Sequence, residues 1–312
     1  GSRAGMAAHP KTLVDTKRRA GRQDDALLAY LLQAPMLLLV GAIVVLPLAE
    51  AVYLSFTASS FINPEPRFVG LENYVEILQD EVFWQVLRNS LVWTFFVVVF
   101  QFLVGLGTAI LLNQPFHGRS VARALFILPW VTPGIIAALN WRMMYDPNIG
   151  IINGGLATLG FPNPQVPWLA DTQLALPAVI FAAIWKGAPF STVMYLAALQ
   201  GVSSEIVEAA KIDGANAWQR LRHVVLPEIA PVVRVTVLLT TVWTFNYFDF
   251  IYVMTQGGPG FSSHIFPTYI YRLGFQQFRL GEASAYGVVS LLVLTAFTLL
   301  YVRELHRSRA LS

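Results

Sequence analysis

Long apolar runs alternate with short polar segments along most of this 312-residue chain. A helix needs about twenty apolar residues to cross the hydrocarbon of a bilayer, and six stretches reach that length. Their approximate limits are residues 27–56, 91–112, 124–145, 174–200, 229–255 and 283–302. The pattern predicts an all-α integral membrane protein with six transmembrane helices. Several runs contain proline, which favours the kinked helices of transporters over straight membrane anchors.

The composition agrees with a membrane domain. Hydrophobic residues make up 55% of the chain and charged residues 12%, whereas soluble domains contain about 25% charged residues. The sequence has no Cys, which excludes disulfides, thiolate catalysis and Cys-bound metals. The five His residues are scattered without metal-ligand spacing, and we expect each to be solvated in a loop or tail. They are His9, His117, His223, His264 and His306.

The basic residues are distributed unevenly between alternate loops. With the N-terminus inside, four Arg lie outside: Arg67, Arg88, Arg272 and Arg279. The fifteen inside are Arg3, Lys11, Lys17, Arg18, Arg19, Arg22, Arg119, Arg123, Lys211, Arg220, Arg222, Arg234, Arg303, Arg307 and Arg309. The positive-inside rule therefore predicts that both termini are cytoplasmic. Residues 1–25 would form a cytoplasmic N-terminal segment, residues 26–305 the six-span domain, and residues 306–312 a cytoplasmic tail.

The polar segment 203–227 separates the fourth and fifth runs and lies on the predicted cytoplasmic side. Ser203 or Ser204 can cap a helix at its start. Gly214 can adopt a positive φ, which would end that helix and direct the chain into a second short helix over residues 216–225. We expect the two helices to form a compact knob that a partner protein binds.

This segment also carries a closely spaced motif. It reads Glu208-Ala209-Ala210, three residues, Gly214, nine residues, and then Val224-x-Leu226-Pro227. The motif closely resembles the EAA loop of the membrane subunits of binding-protein-dependent ABC importers, with Val224 in place of Ile. In that family the loop binds a cleft of the ATP-hydrolysing subunit. The resemblance implies a coupling role for Glu208, Ala209, Ala210, Asp213, Gly214, Arg220, Leu226 and Pro227.

Other segments resemble one branch of this family, the sugar-importer permeases. In the order of the family they are FVGLENY at 68–74, RNS at 88–90, LPW at 128–130, WKGAPF at 185–190 and TQGGP at 255–259. Ser203 stands where the family usually has Pro, and Gly260-Phe261 stands where it often has Ser-Thr. These departures affect the start of the coupling loop and the exterior contact with the solute-binding protein.

The resemblance implies the permease subunit of an ATP-driven ABC importer for a sugar or sugar derivative, such as trehalose or maltose. The chain would be a multi-pass protein of the cell (inner) membrane and not itself an enzyme. Its expected partners are a second homologous permease, two ATPase subunits, an extracytoplasmic solute-binding protein and the lipid bilayer, with no nucleic acid. No Walker motif occurs in the sequence, so we expect no cofactor in this chain and place ATP and Mg on the partner subunits.

Importers place the solute near the middle of the bilayer, where broken helices expose polar groups. Lys186 is a charge within the fourth run and must face protein or water, because exposure to lipid costs roughly 3 kcal/mol or more. Thr240, Thr244 and Tyr247 recur at spacings of four and three, which would place them on one helical face. Alignment with the maltose-type permease implies that they line the solute pathway together with Lys186, Gly187 and Phe190. The alternatives are that the aromatic rings only pack between helices and that Lys186 forms a structural ion pair.

Other functions require features that the sequence does not contain. An ion-coupled secondary transporter would show inverted repeats and charge relays within its spans, and neither is detectable. An integral membrane enzyme would need paired carboxylates, a Ser/His constellation or a metal cluster. Within the importer class, a polyamine or a sugar phosphate stays an alternative solute.

Overall fold

The computed structural model describes residues 30–60 and 67–310. The predicted N-terminal segment and the last two residues of the predicted tail lie outside this range. The chain divides into two compact units between Tyr53 and Leu54. Helix α1 (Tyr30–Leu54) makes up most of the described part of the first unit, and its most apolar 18-residue window has no buried residue. A helix that is apolar on all sides requires lipid or another protein around it.

The second unit is almost entirely helical. A small antiparallel pair, β1 (Thr57–Ala58) and β2 (Arg67–Phe68), aligns Thr57 with Phe68. The helices that follow are α2 (Glu72–Gln79), α3 (Glu81–Asn113), α4 (Arg119–Val131), α5 (Gly134–Met144), α6 (Ile151–Thr158), α7 (Ala175–Gln200), α8 (Ser204–Ile212), α9 (Ala217–Phe245), α10 (Phe248–Thr255), α11 (Phe266–Tyr271) and α12 (Leu280–Ala310).

Within the described residues, five helices are long and apolar enough to cross a membrane: α1, α3, α7, α9 and α12. A sixth span results if α4 and α5, which meet at 95°, count as one. The prediction of an all-α membrane fold is confirmed, but two predicted spans are not continuous helices. The third run breaks at Thr132-Pro133 and the fifth breaks at Asn246-Tyr247.

Helices α3 and α7 pack closely at the centre of the second unit. A Cβ atom built on Gly105 of α3 would lie 2.6 Å from the Cβ of Ser191 on α7. A Cβ on Gly187 of α7 would lie 2.0 Å from Nε2 of Gln101 on α3. That amide donates a hydrogen bond to the carbonyl of Ala183, at 3.3 Å. Two glycines, one on each helix, therefore allow the close approach of the two backbones.

The turn between α10 and α11 is held by α3. The side-chain amide of Asn89 donates to the carbonyls of Phe261, Ser262 and His264, each at 3.1 Å. The hydroxyl of Ser90 accepts from the backbone N–H of Phe266 at 3.0 Å. Two residues of the RNS motif thus have a structural role, which is to fix this turn against the end of α3.

His264 lies inside this turn and is 1% exposed. The predicted solvation is therefore wrong for His264, although His117 and His223 are exposed as predicted; His9 and the side chain of His306 lie outside the described residues. The ring packs directly on Gly257, where a built Cβ would lie 2.1 Å from Nδ1. Nδ1 is 3.1 Å from the hydroxyl of Thr268. A sequence pattern of scattered histidines gives no sign of this packing.

Protonation of His264 should destabilise the fold in mild acid. Burial and, to a lesser extent, the Arg272 guanidinium lower the pKa of His264 from 6.5 to about 4. Because the unfolded chain binds a proton below pH 6.5 and the folded chain does not, the free energy of unfolding falls as pH decreases from about 6.5 to about 4, by on the order of 3 kcal/mol. Melting temperatures across this range should fall less for His264→Gln than for the wild type. Equal pH slopes in both proteins would contradict the assignment.

Candidate functional site

Three helices and two helix breaks enclose a small cavity, here called the Lys186 cavity, with a volume of about 200 Å³. It lies where α3, α7 and α9 face the two breaks. All six residues predicted for the solute pathway line it. The complete lining is Gln101, Trp130, Ala183, Lys186, Gly187, Phe190, Thr240, Trp243, Thr244 and Tyr247.

Lys186 is the one charged residue in this lining, and it is 8% exposed. Its ammonium donates a hydrogen bond of 2.7 Å to the carbonyl of Trp130. Helix α4 ends at Val131, so the Trp130 carbonyl is one of the terminal acceptors without an intrahelical donor. A cation at this helix end is also favoured by the helix dipole. Lys186 makes no ion pair with any described residue, and the partner that it has in this chain is a backbone carbonyl.

The predicted common face of Thr240, Thr244 and Tyr247 is wrong in its geometry, although all three line the same cavity. Helix α9 ends at Phe245, and Tyr247 has an extended backbone, with φ −80° and ψ 92°. The ring of Tyr247 reaches the cavity from the break, and its hydroxyl would lie 3.2 Å from a Cβ built on Gly134. The hydroxyl of Thr240 donates to the carbonyl of Thr236 at 2.9 Å. The three residues therefore line one cavity as predicted, but Tyr247 does so from the helix break and not from the face of the helix.

Each helix break is compensated by a side chain from another helix. The α4–α5 break frees the Trp130 carbonyl, which accepts from Lys186. At the α9–α10 break the Thr244 carbonyl accepts from the backbone N–H of Tyr247 at 3.1 Å, and the indole Nε1 of Trp93 adds a second donor at 2.8 Å. Backbone polar groups without partners are costly inside a membrane, so the bond from Lys186 stabilises the first break and the bond from Trp93 reinforces the second.

Four lining residues are absent from the sequence-based set: the small Ala183 and the larger Gln101, Trp130 and Trp243. The ring of Phe190 lies 5.6 Å from that of Trp130 and 5.1 Å from that of Trp243. The signals in the sequence were a Gln within an apolar run and two Trp residues away from the ends of the runs. Together these residues add an amide and two indole rings to the cavity.

The coupling loop begins as predicted. Ser203 caps α8, and its hydroxyl accepts from the backbone N–H of Glu205 at 3.2 Å. Gly214 has φ +83°. Its N–H donates to the Lys211 carbonyl at 3.1 Å, and that of Ala215 donates to the Ala210 carbonyl at 3.0 Å. This pair of bonds is the Schellman motif that ends a helix at a left-handed glycine.

The second half of the loop differs from the prediction. The side chains and backbones of Asn216 and Gln219 bond reciprocally at 2.8 and 2.9 Å, forming a capping box. The helix that starts there does not stop at 225 but continues to Phe245 as α9. It widens into a π-turn over Leu221–Val225, before Pro227, whose missing N–H cannot bond to the carbonyl four residues earlier. The second helix of the knob and the membrane span are therefore one continuous helix.

A groove of about 390 Å³ lies between the coupling loop and the ends of α3 and α7. Glu208 and Arg220 both line it, while Ala209, Asp213, Gly214 and Pro227 are exposed, and Ala210 and Leu226 are half-buried. Two large apolar side chains flank the bend and were not predicted: Ile212 is 86% exposed and Trp218 is 64% exposed.

A comparison with protein families identifies the class of this chain. Residues 101–309 match the family described as "Binding-protein-dependent transport system inner membrane component". The chain belongs to this family. It is therefore a multi-pass inner-membrane component of a binding-protein-dependent transport system, as the helices and the EAA motif predicted.

Individual members of the family are similar over almost the whole chain. The trehalose/maltose transport system permease protein MalF of Thermococcus litoralis is 35% identical over 282 residues, which cover 89% of this chain and 94% of the relative. The inner membrane ABC transporter permease protein YcjO of Escherichia coli is 37% identical over 284 residues, with 90% and 94% covered.

A solved structure shares the fold. One chain of a bacterial ABC transporter involved in the import of the acidic polysaccharide alginate superposes with a TM-score of 0.81. The match covers 93% of this chain and 99% of that chain at 24% sequence identity. At this identity the similarity establishes the fold of the inner-membrane component and does not identify its solute.

Proposed function

We propose that this chain is the permease subunit of an ATP-driven importer that moves a neutral sugar or sugar derivative through the Lys186 cavity. The observation that carries the proposal is the lining of that cavity. Aromatic rings of Trp130, Phe190, Trp243 and Tyr247 stand beside the polar groups of Gln101 and Lys186. Ligand sites combine apolar and aromatic walls with a few placed polar groups. Sugars present apolar ring faces and hydroxyls that match both kinds of wall.

The charge of the cavity favours a neutral solute over the alternatives. No Asp or Glu is among the lining residues, and Lys186 would repel a cation. A polyamine would therefore find no carboxylate to pair with. A sugar phosphate, which carries nearly two negative charges, would find Lys186 as the single cation among the lining residues. One of the two similar permeases described above is named for the transport of trehalose and maltose. Both of these sugars are neutral, which agrees with the proposal.

The cavity in this chain alone is smaller than most ligand sites, which measure roughly 300–1,000 Å³. A second permease facing α7 and α9 would supply the remaining wall, in line with the expected pair of homologous subunits. The coupling loop, with its exposed Ile212 and Trp218, would contact one of two ATPase subunits, and α9 would carry the movement of the loop directly to Thr240 and Thr244. An extracytoplasmic solute-binding protein would deliver the sugar.

Uptake by the reconstituted complex tests the proposed function. Proteoliposomes would contain this chain with its second permease and ATPase subunits, and the solute-binding protein would be added outside. We expect ATP-dependent accumulation of a neutral sugar from a panel containing trehalose, maltose, glycerol phosphate and spermidine. Vesicles that contain this chain alone should accumulate none. Accumulation driven by an ion gradient without ATP, or preference for spermidine, would contradict the proposal.

Substitutions at Tyr247 and Lys186 separate a solute site from simple packing. Tyr247→Ala removes a ring and a hydroxyl, worth about 1–3 kcal/mol together, so affinity for the solute should fall roughly 5- to 150-fold. Tyr247→Phe should retain the ring contact, and Lys186→Met should lower transport. Basal ATP hydrolysis should persist, because the coupling loop is unchanged. Transport and melting temperature would be measured together, and a parallel loss of both in all three variants would favour packing.

A further inference from the structure

A long groove runs along the outside of the second unit between α3 and α7, and it is distinct from the Lys186 cavity. Its volume is about 1230 Å³. On α7 its walls come from Leu176, Pro177, Ile180, Phe181 and Ile184, whereas the Lys186 cavity uses Ala183, Lys186, Gly187 and Phe190. These two sets lie on different faces of the same helix. The groove therefore has no part in the proposed solute pathway.

Arg88 lines one end of this groove. The other two residues of the RNS motif are explained by the bonds that Asn89 and Ser90 make to the turn after α10. Arg88 is exposed and makes no hydrogen bond or ion pair with any residue in the described part of the chain. A guanidinium with five donors in a planar fork is well suited to binding phosphate. Contacts within the described chain therefore explain Asn89 and Ser90 but not Arg88.

Other polar groups lie at the same end. Gln85, Thr172 and Gln173 line the groove beside Arg88. The hydroxyl oxygen of Ser262, which also lines the groove, is buried and has no hydrogen-bond partner among the described residues. A buried polar atom without a partner is costly. A bound group would accept from Arg88, and rotation of the Ser262 side chain towards the groove would give its hydroxyl a partner in the same group.

Away from Arg88 the groove is apolar. On α3 it follows Val92, Phe96, Phe100 and Val104, four residues on one side of the helix. From Trp84 to Val104 the helix rises about 30 Å at 1.5 Å per residue, which matches the thickness of the hydrocarbon core. The groove therefore combines a cationic end with an apolar channel long enough to hold an acyl chain.

We infer that this groove binds a phospholipid, with its phosphate on Arg88 and an acyl chain along α3 and α7. The charge at the groove end favours lipid over a transmembrane helix of another protein. A helix would need a carboxylate at the one position that meets Arg88. Every phospholipid instead carries a phosphate at the membrane surface and acyl chains in the hydrocarbon, so it matches both ends of the groove.

Photocrosslinking of the complete transporter complex tests this inference. The complex would be placed in lipid nanodiscs that contain a phospholipid with a diazirine on its acyl chain, and labelled residues would be mapped by mass spectrometry. We expect labelling of Phe96, Phe100 and Phe181 above that of the outward-facing Leu299 and Leu300 of α12. Arg88→Ala should lower the groove labelling roughly tenfold, the loss expected for a charge-assisted hydrogen bond.

Two controls keep the result decisive. Arg67→Ala removes an exposed positive charge outside the groove and should leave the labelling unchanged, and Arg88→Lys should retain most of it. If Arg88→Ala prevents assembly, the wild-type complex with a diazirine-bearing diacylglycerol, which has no phosphate, should show the same loss. Labelling of the groove that is equal for both lipids, or no labelling because another protein covers the groove, would overturn the inference.

Discussion

Gly214→Val should lower solute uptake strongly while leaving the membrane spans folded. Gly214 has φ +83° in the Schellman turn that ends α8. A β-branched residue is a strong outlier at positive φ, and the strain amounts to about 1–3 kcal/mol. The strain would change the angle between α8 and α9 and thus the fit of the coupling loop to the ATPase. Because 1.4 kcal/mol corresponds to a factor of ten, we expect uptake to fall roughly 5- to 150-fold.

The measurement is ATP-dependent uptake in proteoliposomes together with the solute-stimulated rate of ATP hydrolysis. Gly214→Asn is the matched control, because Asn adopts the left-handed conformation far more readily than Val. A Cβ at this position would have no heavy atom within 4 Å, so side-chain size within the chain is not the cause of any defect. Normal uptake in Gly214→Val would contradict the role of the turn. Equal loss in both variants would instead assign the defect to contact with the partner.

Gly105→Leu should prevent stable packing of the membrane core. A Cβ at Gly105 would lie 2.6 Å from the Ser191 Cβ and 3.2 Å from the Ser191 carbonyl carbon. Since one of these atoms belongs to the backbone of α7, rotation of a side chain cannot relieve the clash and the helices must separate. Overpacking of this kind costs typically 1–3 kcal/mol and sometimes more. We expect a large drop in the melting temperature and in the yield of assembled complex.

Gly107→Leu provides the control two residues further along α3. A Cβ at Gly107 meets no heavy atom within 4 Å, and replacing glycine in a helix recovers up to about 1 kcal/mol of helix propensity. The melting temperature of Gly107→Leu should therefore equal or exceed that of the wild type. Similar losses in both variants would show that α3 tolerates no added volume anywhere, and the specific contact with Ser191 would not be the cause.

The spans could be predicted from the sequence because apolar runs of sufficient length are a local signal. The helix breaks were harder. Pro129, Pro189 and Pro231 lie within continuous helices, whereas Pro133 marks a break and the break at Asn246 has no proline. At the first break Lys186 of another helix donates to the freed Trp130 carbonyl, and at the second Trp93 adds a donor to a carbonyl that also accepts from the Tyr247 N–H. Such long-range bonds leave no local pattern.

The coupling loop was predictable to a greater extent than the cavity. Its cap at Ser203 and its turn at Gly214 depend on residues a few positions apart, so the sequence itself specifies them. The continuation of its second helix into α9 was missed because the helix over residues 216–225 and the apolar run from 229 were predicted separately, whereas the π-turn before Pro227 keeps one helix continuous. Gln101 and Trp130 enter the cavity from helices distant in sequence, and only the packing of α3 and α4 against α7 brings them there.

The most direct test is the location of the solute in the assembled transporter. A cryo-EM structure of the complete complex, held in its ATP-bound state with saturating transported sugar, would show it. We predict density for the sugar against Phe190 and Tyr247, within hydrogen-bond distance of Lys186 or Gln101. A well-resolved sugar bound elsewhere in the membrane, with Phe190 still packed between Trp130 and Trp243, would contradict the proposed pathway.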